Sequence, residues 1–67
     1  MSEKWTGEIV AALHVNRITQ RELAKEMNLR EEYVSAILSG SRSPKGAKER
    51  MLTAISSIVE KKREGAI

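Results

Sequence analysis

With 67 residues the chain has room for one domain, and at this size folding buries only about 60% of the surface the unfolded form exposes, which leaves a thin margin of stability. The absence of cysteine excludes a disulfide framework and a thiolate metal site. Twelve Lys and Arg against nine acidic residues give a net charge of +3, too modest to identify a partner without its distribution along the chain.

The first predicted helix runs from about Glu3 to Val15, with Trp5, Ile9, Ala12 and Leu13 recurring on one face at three-and-four spacing. Ser2 is placed to cap it. Asn16 is the expected stop, because asparagine tolerates the left-handed backbone that ends a helix.

Thr19 opens the second helix. Glu22 stands three residues further on, which is the spacing of a reciprocal capping box. Leu23, Ala24 and Met27 supply its apolar side, and Asn28 breaks it. A third helix covers about Arg30 to Ser39, apolar at Tyr33, Val34, Ile37 and Leu38, with Gly40 as its stop. Two helices joined by so tight a turn cross steeply, so a small residue is needed where they meet. Ala24 stands in that place.

Gly40-Ser41-Arg42-Ser43-Pro44 is a turn by composition, and Pro44 suits the first positions of a helix, where its missing N–H costs nothing. The last helix is expected from Lys45 to about Arg63. Its apolar residues, Ala47, Met51, Leu52, Ala54, Ile55, Ile58 and Val59, cover about 160° of the wheel, more than the ~100° one core contact needs. The excess predicts either a homodimer face, assigned to Leu52, Ile55, Ile58 and Val59, or a long helix wrapped by the other three. No segment reads as a strand, repeat or linker. The fold class is therefore all-α, a compact domain of four helices, or five.

Charge is unevenly spread. Residues 20–40 carry three basic side chains against four acidic ones, net −1, whereas 41–50 carry Arg42, Lys45, Lys48 and Arg50 against Glu49, net +3. Lys61, Lys62 and Arg63 form a second basic cluster. A basic patch beside a helix of groove width is the electrostatic footprint of a nucleic-acid binder, and solubility is the plainer reading of the C-terminal cluster.

Thr19-Gln20, Leu23-Ala24, Asn28-Leu29, Val34-Ser35, Ile37, Gly40 and Pro44 together resemble the helix-turn-helix DNA-binding domains of the phage repressor/Cro (XRE) type, with no gap from Asn16 to about Pro44. Asn28 stands where such proteins usually carry glycine. The resemblance implies a repressor-like fold and a third helix that reads base edges in the major groove. Mapped onto this chain, Glu31, Glu32, Ser35 and Ala36 would face bases: a carboxylate can accept from the cytosine amino group, serine serves several bases, and alanine can touch a thymine methyl. The plainer reading of Glu31 and Glu32 is that they favour a helix start left uncapped by Arg30. Phosphate contacts are implied for Gln20, Arg30, Ser41, Arg42, Ser43 and Lys45, which would fix register without carrying sequence information.

The resemblance implies a transcriptional repressor, homodimeric on an inverted-repeat operator in double-stranded DNA. The alternative is an antirepressor or antitoxin-like adaptor that turns its acidic third helix toward a basic protein. His14 is the only histidine and no aspartate occurs, so no metal centre or catalytic triad can be assembled from the usual sets, and neither enzyme activity, a metal nor a cofactor is expected. The longest apolar run, Ile9 to Leu13, is far short of the ~20 residues of a membrane span, and no charged-then-apolar leader precedes the first helix. The expectation is a cytoplasmic protein.

Overall fold

The computed structural model describes residues 4–65. The chain is all-α, with four helices in one compact body: α1 (Lys4–Val15), α2 (Gln20–Met27), α3 (Glu31–Ser39) and α4 (Ala47–Gly65). The expected cap at Ser2 lies outside the described residues. No helix among the described residues is long and apolar enough to cross a membrane.

The core is built where the four apolar stripes meet. Ile9 and Leu13 come from α1, Leu23 and Ala24 from α2, Val34, Ile37 and Leu38 from α3, and Ala47, Met51, Ala54, Ile55 and Ile58 from α4, with Ile18 from the first turn. Met51 has no solvent exposure and Ala24 almost none, so the small residue sits in the packed interior. Trp5, Ala12, Met27, Leu29, Tyr33 and Val59 close the rim. Thr6 is buried as well: it stands three residues before Ile9 and seven before Leu13, on the same face of α1, although its polarity gives no reason to count it with the core.

The helix ends are set by local chemistry. Thr19 Oγ1 accepts from the Glu22 amide at 3.1 Å, and the Thr19 amide donates to Glu22 Oε1 at 3.1 Å, completing the capping box. Asn28 is left-handed at φ 59°, ψ 42° and ends α2. Gly40, at φ 89°, ends α3, where the Ser41 and Arg42 amides both reach the Ala36 carbonyl.

Three boundaries differ from expectation. The left-handed residue after α1 is Arg17, at φ 55°, not Asn16. The Arg17 amide donates to the His14 carbonyl and the Ile18 amide to the Leu13 carbonyl at 2.8 Å, a six-to-one closure that swings Ile18 into the core. Asn16 instead donates its side-chain amide to the Ala12 carbonyl. Helix α4 begins at Ala47 rather than Lys45, because Gly46 takes φ 77° and a turn closes from the Ala47 amide to the Pro44 carbonyl. It also continues through Gly65, past the expected end at Arg63.

The dimer assignment on α4 is corrected in part. Ile55 and Ile58 are 6% and 7% exposed and belong to the chain's own core, so the wide apolar arc is mostly consumed by α1 and α2 packing against it. Leu52 is exposed and Val59 half-buried.

The C-terminal half of α4 is tied to α2 by a pair of lysines. Lys61 Nζ lies 2.7 Å from Glu26 Oε1, whose other oxygen accepts from Ser57 at 3.0 Å. Lys62 Nζ donates to the Arg17 carbonyl at 2.9 Å and sits 3.5 Å from Glu22 Oε2. The Glu22 carboxyl is held below its ordinary range first by the Thr19 amide and then by Lys62, opposed by partial desolvation. Glu26 is lowered by its bonds from Lys61 and Ser57. Lys61 and Lys62 are thus occupied within the chain, whereas Arg63, the third member of the basic C-terminal cluster, makes no ion pair with another described residue.

Candidate nucleic-acid interface

Helix α3 lies with Val34, Ile37 and Leu38 buried, which turns Glu31, Glu32 and Ser35 to solvent. Ala36 is half-buried, so of the four side chains assigned to base reading it has the shortest reach. Gln20, in the first turn of α2, shares one shallow depression with Glu31, Glu32 and Ser35. Four side chains from two helices are thereby brought together: one amide, one hydroxyl and two carboxylates.

Arg30 is the N-cap residue of α3, and its side chain makes no capping bond. It stays exposed beside the depression. With no side-chain oxygen closing the helix start, Glu31 and Glu32 in the first turn face exposed backbone N–H groups, an arrangement favourable to carboxylates. Arg21 Nε lies 3.7 Å from Glu31 Oε1. Both side chains are at least half exposed, so the pair adds at most about 1 kcal/mol to stability. Its larger effect is local: it offsets one of the two negative charges. Glu32 makes no ion pair with another described residue.

The turn after α3 presents its own donors. Arg42 is exposed, and its guanidinium carbon lies 5.8 Å from the centroid of the Tyr33 ring on the flank of α3, a cation–π contact. Ser41 and Ser39 approach hydroxyl to hydroxyl at 3.1 Å, and Ser39 also donates to the Ala36 carbonyl. Ser43 and Lys45 are exposed but lie elsewhere, lining a separate depression with Trp5 and the start of α4. The six residues assigned to phosphate contact therefore fall into three places: Gln20 and Arg30 at the helix starts, Ser41 and Arg42 beside α3, and Ser43 and Lys45 near α1.

Arg21 joins the site without a motif to mark it, since only its position in the first turn of α2 hints at a place beside the α3 start. Among the described residues, no three His, Cys, Asp or Glu side chains are grouped so as to hold a metal ion. No protein-family model, curated protein or solved structure matches this chain. The chemistry of the site must therefore carry its reading. A shallow, open set of hydrogen-bonding side chains, flanked on one side by a guanidinium, does not enclose a small molecule.

Proposed function

We propose that this protein is a sequence-specific double-stranded DNA-binding transcriptional regulator, a cytoplasmic repressor acting as a homodimer on an inverted-repeat operator. The observation that carries the reading is the shared depression of Gln20, Glu31, Glu32 and Ser35. It sits on two short helices joined by a left-handed asparagine, with the outer side of the second helix unencumbered by packing. In this reading Glu32 and Ser35 select bases, Gln20 and Arg42 bind phosphate, and Arg21 screens Glu31 from the backbone. Affinity comes from the flanking donors, and the carboxylates discriminate.

A dimer accords with the arithmetic of recognition, since one domain offers one reading helix and two half-sites about one helical turn apart are needed for useful affinity. The decisive experiment is selection of bound sites from random duplex DNA. A palindromic consensus enriched for cytosine at one or more positions supports the reading. No retention of any duplex at low salt refutes it. Glu32, with no ion-pair partner among the described residues, supports a second reading, an adaptor whose acidic helix meets a basic protein. That reading is the one left standing if duplex DNA is not bound.

A further inference from the structure

We propose that two copies of this chain associate through the solvent face of α4, antiparallel, about a two-fold axis at Ser56. The assignment supplies the partner surface that the operator reading requires, but its evidence is the pattern on α4 itself. At 100° per residue, Glu49 and Arg63 lie about 20° to either side of Ser56, and Leu52 and Val59 lie together about 40° to 60° to one side. Glu49, Leu52, Ser56 and Arg63 are exposed and Val59 is half-buried.

Neither Glu49 nor Arg63 makes an ion pair with another described residue. They stand seven residues before and seven after Ser56, about 21 Å apart along the axis. Antiparallel pairing about Ser56 sets Glu49 of each copy against Arg63 of the other, twice by symmetry. The same operation brings Leu52 beside Val59 of the second copy on one edge, again twice, while the small Ser56 lets the helix axes approach. A parallel arrangement would instead oppose Glu49 to Glu49 and Arg63 to Arg63. The exposed Glu60, about 40° to the other side of Ser56, comes against Thr53 of the second copy, so the antiparallel orientation, unlike the parallel one, sets the Glu49 and Arg63 charges against their opposites.

The other exposed large apolar residues among those described, Val10 and Val15 on α1, do not compete. They are about 140° apart on the helix and so form no common face, as is ordinary for scattered surface side chains. A contact confined to one helix pair falls below the ~1,200 Å² of a standard stable interface, so the association is weak and strengthened when both copies occupy one duplex.

The test is sedimentation of the purified full chain, without DNA, over a wide concentration range at low salt. The wild type is expected to show a reversible monomer–dimer equilibrium. Glu49→Arg and Arg63→Glu should each weaken it about tenfold, because either reversal turns two symmetry-related attractions into repulsions, and the double variant should recover the wild-type constant. Circular dichroism should show all three folded as the wild type, since neither side chain packs internally. A monomer at every concentration, a dimer indifferent to both single reversals, or a double variant that stays weak would each overturn the proposal. Binding to a duplex carrying one half-site, measured in parallel, separates the two ideas. A monomer that still binds it sinks only the α4 face; a dimer that binds no DNA sinks only the operator reading.

Discussion

Arg42 offers the sharpest test of how affinity would be generated. Its guanidinium is exposed and held 5.8 Å from the Tyr33 ring, hence fixed beside α3. If it meets one phosphate, Arg42→Ala should lower the slope of log K against log salt by about 0.9. The same release of one counterion makes the loss about eightfold, or about 1.2 kcal/mol, at ~0.1 M salt, and only about twofold at ~0.4 M. The loss should be the same for the selected site and for unrelated duplexes, because a phosphate contact carries no base information. Arg42→Lys keeps the charge and should keep the slope, losing only the ring contact, about 0.5–1 kcal/mol at an exposed position. Fluorescence anisotropy titrations over a series of salt concentrations, with the wild type, both variants and two duplexes, give every quantity needed. An unchanged slope for Arg42→Ala, or a loss confined to the selected sequence, would refute the phosphate role.

Other substitutions probe the frame. Thr19→Ala removes the acceptor for the Glu22 amide and should cost about 1 kcal/mol, read as a fall in melting temperature of about 4–8 °C for a domain of this size; an unchanged melting temperature would mean the cap contributes nothing. Ile58→Glu places a carboxylate in the core and should unfold the chain, at a cost above about 3 kcal/mol, and a folded variant that is merely monomeric would contradict the packing of α4. Acid should also weaken the fold. Glu22 and Glu26 have folded-state pKa values below the ordinary 4.5, so the unfolded chain binds more protons, and the stability they add is present above pH 4.5 and lost as pH falls through their lowered values. Replacing Lys61 and Lys62 with Met should remove part of the acid dependence of urea denaturation, chiefly that of Glu26, since the Thr19 amide still holds Glu22 down, and a full-strength dependence in that variant would assign it to other groups.

The parts of the fold that are legible in sequence are those set by neighbours a few residues apart. Thr19 with Glu22, Asn28 and Gly40 each act within one turn, and each begins or ends a helix where its chemistry demands. The displaced boundaries are decided by competing neighbours: burial of Ile18 transfers the left-handed conformation from Asn16 to Arg17, and Gly46 rather than Pro44 sets the start of α4. An apolar arc states how much surface must be covered but not by what, and so Ile55 and Ile58 read as a partner face although α1 and α2 cover them. The outward set on α3 is legible because the helical period that buries Val34 and Ile37 leaves Glu31, Glu32 and Ser35 no other direction. Illegible are the ties between Arg21 and Glu31, Lys61 and Glu26, and Lys62 and Arg17, since contacts between residues far apart in the chain leave no local trace.

The outer side of α3 has an evolutionary consequence. Glu32 and Ser35 are exposed, and Glu31 makes only a surface pair, so beyond the charge the two carboxylates lend the uncapped start of α3 these side chains add little to the fold. Polar exchanges at Ser35, and exchanges that keep a carboxylate in the first turn, fall within about ±0.5 kcal/mol, as is typical of such surfaces. For a domain whose stability is as small as its size dictates, that insulation matters: if α3 reads DNA, its target preference changes by drift at Ser35 and between acidic residues at 31 and 32 without any compensating change in the core. The scaffold would then be inherited intact while its outer surface is rewritten.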